Sequence, residues 1–518
     1  MARESQRLIG NAMWNVLGRC AGMAAGLILP PLAVHSIGRG EYGLVVLIAA
    51  VMEVAVMAQV GTPHALMRFM APAGRDGDTE TLGRFFNTGL AILCAAAVVV
   101  IGVTLVATVD PRLMLRLPKD MTAADTRPVV LALGLSSALT LVLSIGQTCF
   151  FVKEDFRRLS GIRVVNVTMR IAIVAGTLLA VPGSVFAYAA AQGISVTLET
   201  LLIFVLGLRM LDGVRVRWAQ VRRDVARQIL HYGGQIFLNG MLYAVYLQGG
   251  LFVLAWLTSS SVVAGFGLAM TWAMISRRVL KLGLATLIPA AANKDVERDA
   301  EALRTLLVRI AKLTLLIALP VTVFLCVFRF MLFETWMGPG YHDAAQAMAL
   351  LLCAECLAVA QSGNTNMFVG LGDVAYFLKL NLFFAPLSLV LAYICIAIFD
   401  LGAPGLALSY LIVTVTRIGF LEPAYMARKL AIAPLRYFRQ AYGAPLVAAL
   451  LAVPVAYGLR ALLPAAGWFP LIGGAFLFGL VYLALAYTVG MDTYDRGVVR
   501  SVARSLIAAV QRARPARS

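Results

Sequence analysis

Arg19 stands in the middle of an apolar run, on one stripe with Asn11, Asn15, Gly18, Gly22 and Gly26. Spacings of three and four put these residues on one face of a helix. Arg19 is about ten residues into the run, or roughly 15 Å at 1.5 Å per residue. A guanidinium at such depth in a bilayer costs several kcal/mol unless it faces a cavity or a partner. Its planar fork suits phosphate groups. A second stripe, His231, Gln235, Asn239, Tyr243 and Tyr246, offers amides and phenols to a polar ligand. A third group is a helical hairpin closed by Pro182-Gly183, with Arg163, Asn166 and Arg170 on one arm and Gln192, Ser195 and Glu199 on the other. Counted from Gly183, Arg170 and Glu199 differ in depth by about 4.5 Å, so an Arg170–Glu199 ion pair is expected. Glu53 and Glu355 are carboxylates in apolar surroundings with no cation close in sequence. Each is a candidate for proton coupling or for a structural contact.

No arrangement of catalytic residues stands out. None of the seven lysines follows a glycine, so there is no Walker A sequence, and H-E-x-x-H and G-x-S-x-G are missing. The seven cysteines lie in apolar stretches, and the Cys353-x-x-Cys356 pair has no histidine nearby. They read as packing residues, and no metal or cofactor is expected. The chain is not expected to be an enzyme.

The surroundings of these residues are membrane-like. Of 518 residues, 61% are hydrophobic and 14% charged, and mean hydropathy is +0.85. A soluble chain is about 25% charged, so a soluble enzyme is excluded, and disorder is excluded by the same hydrophobicity. The continuous apolar runs imply helices rather than barrel strands. Fourteen spans are expected, at 9–35, 44–67, 85–109, 129–152, 164–181, 185–208, 229–256, 262–284, 306–328, 344–364, 374–399, 406–426, 441–463 and 468–491. The net charge of +18 is then a topology signal and not a mark of nucleic-acid binding. With both ends inside, 32 Lys and Arg fall in the inner segments and 7 in the outer ones, Arg39, Arg112, Arg116, Lys119, Arg127, Arg329 and Arg460. Cations collect on the cytoplasmic side. The outer loops are short, which argues against a membrane glycosyltransferase or polymerase.

Three signature pairs recur at nearly one offset. They are Glu41-Tyr42-Gly43 with Gly265-Phe266-Gly267, Phe151-Val152 and Asp155 with Phe368-Val369 and Asp373, and Pro182-Gly183 and Tyr188 with Pro404-Gly405 and Tyr410. Six spans separate each pair, so the halves are a parallel repeat. The expected architecture is an all-α polytopic membrane protein. It has an N-lobe over 1–208, a linker over 209–228, a C-lobe over 229–426, two further helices over 427–491 and a basic tail over 492–518.

The sequence also resembles a known family. Asn11-Ala12-Met13-Trp14-Asn15 with Gly18-Arg19 is similar to the first helix of Wzx-type polysaccharide flippases. Ile37-Gly38-Arg39-Gly40-Glu41-Tyr42-Gly43-Leu44 resembles their first external turn. Gly61 with Ala65-Leu66-Met67-Arg68-Phe69 resembles the end of their second helix, and Trp336-Met337-Gly338-Pro339-Gly340-Tyr341 the turn before helix ten. These flippases belong to the multidrug/oligosaccharidyl-lipid/polysaccharide exporter superfamily, with two six-helix bundles around a central cavity. The resemblance implies export of undecaprenyl-pyrophosphate-linked oligosaccharide across a bacterial inner membrane for polysaccharide biosynthesis. Polymerase and chain-length proteins are the implied partners beside the bilayer. Arg19 would then meet the pyrophosphate, and the amides and aromatics of the seventh span the sugars. Where many relatives carry a charge, this chain has Gln248-Gly249-Gly250. The alternatives are a lipid II flippase or a cation-coupled drug exporter of the same superfamily.

Overall fold

The computed structural model describes residues 2–59, 61–111, 122–211, 213–291, 300–363, 374–463, 466–492 and 495–497. Among these residues the regular structure is helical, without a strand. The first helices are α1 (Ala2–Ile37), α2 (Arg39–Val56), α3 (Thr62–Asp76), α4 (Thr79–Val109), α5 (Ala123–Leu143), α6 (Ile145–Val152), α7 (Phe156–Ala180) and α8 (Val185–Met210). Next, α9 (Arg223–Ala244) runs through a π-helical turn, Val245–Gly249, into α10 (Gly250–Leu257). It is followed by α11 (Ser260–Ala291), α12 (Ala300–Val327), α13 (Arg329–Met337) and α14 (His342–Ala360). The last six are α15 (Val374–Tyr393), α16 (Gly402–Thr414), α17 (Glu422–Lys429), α18 (Pro434–Phe438), α19 (Ala444–Leu462) and α20 (Trp468–Leu485).

Among the described residues, 11 helical runs are long and apolar enough to cross a membrane. The other three expected spans also fall on helices: 44–67 on α2 and α3, 229–256 on α9 and α10, and 262–284 on α11. Large apolar side chains stand bare on the outside, Phe469 at 92% exposure and Leu179 at 84%. Lipid tails are the natural cover for such a surface. Caps fix where several helices start. Asp78 accepts from the Thr81 amide at 3.0 Å ahead of α4, and the hydroxyl and amide of Thr81 hold its carboxyl below the usual carboxylate range. Asp155 and Ser184 cap α7 and α8 in the same manner.

Two breaks depart from the sequence reading. The second span is two helices, because Gly61 turns the chain at φ +66 and Pro63 sits in the first turn of α3. A Cβ at Gly61 would lie 2.6 Å from the Gly233 carbonyl oxygen, so only glycine permits this backbone approach. The fourth span is divided at Ser144 between α5 and α6.

The chain groups into two compact units, Met1–Thr271 with Ala375–Tyr410, and Trp272–Val374 with Leu411–Ser518. In the first, α1 packs on α7, α4 on α5, and α8 on both α5 and α7. Here the Gly43 and Gly267 signatures meet at one helix crossing, Gly43 against Ser260 and Gly267 against Val46. Arg39 Nε fastens the crossing to the Ser261 carbonyl at 3.1 Å. In the second unit, α12 packs on α14 and α19, and α19 on α20.

Candidate functional site

A cavity of about 540 Å³ opens inside the first unit. Its polar lining is Tyr42 and Glu53 of α2, Ser136, Ser137 and Thr140 of α5, Arg170 of α7, and Tyr188 and Gln192 of α8. Local structure aims each of them. Gly193 lets α8 lie close on α5, since a Cβ there would reach within 2.7 Å of Ser136 Oγ. The α5 hydroxyls spend their hydrogens on their own helix: Ser136 and Ser137 on the Leu133 carbonyl, Thr140 on the Ser137 carbonyl. Their oxygens keep lone pairs that can accept from a ligand hydroxyl.

The cation of the cavity is Arg170. It is 14 residues into α7 and 10 from its end, about 15 Å from the nearer terminus. Arg170 Nε donates to Gln192 Oε1 at 2.8 Å, and Gln192 Nε2 donates to the Tyr188 hydroxyl at 3.0 Å. The Tyr188 ring lies 6.5 Å from that of Tyr42. Among the described residues no carboxylate lies within ion-pair distance of Arg170. The expected Arg170–Glu199 bond is therefore not formed, although Arg163 and Arg170 both bear on Glu199 electrostatically. Across the cavity, Glu53 accepts a 2.7 Å hydrogen bond from Gln248 Nε2, in the π-helical turn after α9. Such turns often mark functional positions.

The other expected residues are distributed as follows. Asn11, Asn15 and Arg19 are on α1, and Gln235, Asn239 and Tyr243 on α9, but their side chains lie outside the described set. Tyr246 is buried, stacked on Tyr410 with ring centroids 4.9 Å apart, and its hydroxyl donates to the Tyr410 carbonyl at 3.3 Å. In the second unit, Glu355 is 1% exposed and has a partner that its sequence neighbourhood hides: Arg277 of α11, at 3.4 Å. Arg277 falls within the expected eighth span, 262–284. A further ion cluster went unrecognised: Lys312 Nζ meets the buried Asp495 at 2.5 Å and the exposed Asp492 at 3.1 Å. Its signal was the lysine inside the ninth span.

A sugar-sized cavity with one cation, in a helical membrane chain, fits transport of a polar ligand. The family model described as "Polysaccharide biosynthesis protein" matches residues 8–294. The chain belongs to this family. Solved structures of similar fold include a lipid II flippase MurJ in an inward closed conformation, with TM-score 0.70 and 12% identity over 92% of this chain and 98% of that one. An inward-facing multidrug resistance MATE family transporter of the MOP superfamily gives 0.66 and 17%, over 80% and 95%. A Vibrio cholerae MATE transporter gives 0.55 and 16%, over 83% and 98%. Among curated proteins none matches. The chain thus shares its fold with these transporter and flippase structures and is a multi-pass membrane protein.

Proposed function

We propose that the protein flips a polyprenyl-pyrophosphate-linked oligosaccharide from the inner to the outer leaflet of a bacterial inner membrane, by alternating access and with both termini cytoplasmic. The observation that carries this reading is the Arg170 guanidinium on the wall of the 540 Å³ cavity, held by the neutral Gln192 amide and in no salt bridge among the described residues. A membrane-buried cation outside any salt bridge is expensive, and a phosphate-bearing substrate supplies a direct partner. Gln192 steadies the guanidinium while its remaining N–H groups face the cavity's occupant. Tyr42 and Tyr188 offer flat faces to sugar rings, and the α5 hydroxyls take sugar hydrogens. Arg19, with Asn11 and Asn15, is proposed as a second cation site, and Gln235, Asn239 and Tyr243 as sugar contacts, while the buried Tyr246 packs on Tyr410. The polyprenyl chain is as apolar as the bilayer and remains in lipid.

The test is outward display of lipid-linked oligosaccharide by reconstituted protein, normalised to folded protein. Arg170→Ala should reduce display at least about tenfold, the loss of one charge-assisted bond. Arg170→Lys should retain part, since it keeps the charge and loses the fork. Arg19→Ala should fall as well. Full display by Arg170→Ala would sink the reading of the cavity. Orientation is tested separately: cysteines replacing Arg39 and Arg460 should label from the periplasm, while one replacing Arg222 should not.

A further inference from the structure

The segment 209–228 carries six arginines, Arg209, Arg215, Arg217, Arg222, Arg223 and Arg227. A linker of this composition needs no fixed shape, yet here it has one. Asn87 of α4 is 2% exposed and is the clasp. Its Nδ2 donates to the Arg215 carbonyl at 3.0 Å and to Gln220 Oε1 at 2.9 Å, and its Oδ1 accepts from the Arg217 amide at 2.8 Å. The next residue, Thr88, is fully buried, and its hydroxyl accepts from the Arg222 amide at 3.1 Å. Gln220 rests on Gly83, where a Cβ would come within 2.7 Å of its Oε1.

Pinning the backbone turns the side chains outward. Arg215, Arg217, Arg222 and Arg223 are all exposed. Between them stands Trp218, 63% exposed, flanked by exposed Val216 and Val221. The level of this strip follows from α4. That helix has 31 residues, about 46 Å at 1.5 Å each, against a hydrocarbon core of about 30 Å. The excess falls at the N-terminal end, where the exposed Glu80–Arg84 pair sits, so the first turns stand in the headgroup region, and Asn87 is only about 12 Å from the start of α4. The strip lies beside those turns. Cation bias in inner loops explains arginines in such a segment. It does not call for a buried asparagine that fixes them, or for a bare tryptophan among them.

We infer that 215–223 is a docking surface for anionic phospholipid headgroups, with the arginine forks on phosphate and Trp218 at the headgroup boundary. That the leaflet concerned is the cytoplasmic one rests on the orientation proposed above. The docked strip ties the junction between α8 and α9 to the membrane surface.

The experiment is native mass spectrometry of the full-length protein, released from nanodiscs holding phosphatidylglycerol and phosphatidylcholine of matched chains in equal amounts. Wild type should retain phosphatidylglycerol in excess. The triple substitution Arg215→Gln, Arg217→Gln, Arg222→Gln changes only exposed side chains. It should cut that retention at least about tenfold, since each arginine near an anionic surface contributes about fivefold. Asn87→Ala keeps every charge and unpins the strip, and it should lower phosphatidylglycerol retention while leaving phosphatidylcholine unchanged. Equal retention of the two lipids by wild type, or undiminished phosphatidylglycerol in the triple variant, would overturn the inference. Undiminished retention in folded Asn87→Ala would overturn the role of the pinned surface. None of these readouts involves transport, and Arg222 labelling from the periplasm would overturn the orientation alone.

Discussion

Arg170 Nε holds Gln192 at 2.8 Å, and the carboxylate of Glu199, on the same face of α8, makes no bond to it. Gln192 and Glu199 are seven residues apart and so share one helix face. Depth counting along the hairpin cannot choose between them; the way α7 meets α8 does. An arginine held by an amide keeps its charge available to a ligand, whereas one held by a glutamate would be neutralised.

The first prediction follows from that choice. Glu199→Gln should express and melt within about 1 kcal/mol of wild type, because no ion pair is lost. It should also leave substrate display largely intact, in contrast to Arg170→Ala. Thermal unfolding in detergent checks the stability half. A loss of about 3–5 kcal/mol, the signature of a broken buried pair, would mean that Glu199 is a partner of Arg170 after all.

The second concerns Glu355, which is 1% exposed and meets Arg277 at 3.4 Å. Arg277→Ala removes this cation from beside a buried carboxylate and should destabilise by about 3–5 kcal/mol. Adding Glu355→Gln should recover a substantial part, since the buried charge is then gone. Additive losses in this double-mutant cycle would show that the pair does not act as a unit.

The third concerns Lys312 and its two aspartates. Lys312 of α12 is held between Asp492 and Asp495, both just past α20. Asp495 is 2% exposed. Lys312→Met should loosen this fastening, lower the melting temperature and speed tryptic cleavage after Arg496. A cleavage rate equal to that of wild type would show that the segment is held by other contacts.

The helices were legible in sequence because a membrane span is a long apolar run, and such a run is read locally. What interrupts them was not. Gly61 breaks the second span through its φ of +66 and its approach to Gly233, 172 positions away in sequence. Arg170, Glu53 and Tyr246 were recognisable as unusual for their surroundings, but their partners Gln192, Gln248 and Tyr410 were not, because the helix neighbours that decide them are distant in sequence. The same holds for Glu355 with Arg277 and for Lys312 with Asp495. The buried charge is a local signal, while its counter-charge is a property of packing. The linker's arginines were visible at once, and the asparagine that orders them reads in sequence as one more polar residue at the start of a span.

The last prediction uses the meeting of the two repeat signatures. A Cβ on Gly43 would lie 1.8 Å from the Ser260 carbonyl oxygen and 3.1 Å from the Ala264 nitrogen. Both are backbone atoms of α11, which cannot yield by changing rotamer. A Cβ on Gly267 would meet only the Val46 side chain, at 3.1 Å, and a valine can shift by a few tenths of an ångström. Gly43→Ala should therefore force α2 and α11 apart and break the Arg39–Ser261 fastening, costing more than the usual 1–3 kcal/mol, roughly, of an overpacked core. Gly267→Ala should cost less than about 1 kcal/mol, and the helix propensity gained on replacing glycine offsets part of that. The check is the melting temperature and folded yield of the two variants side by side. A reversed order, with Gly267→Ala the more damaging, would mean that the crossing is not built on Gly43.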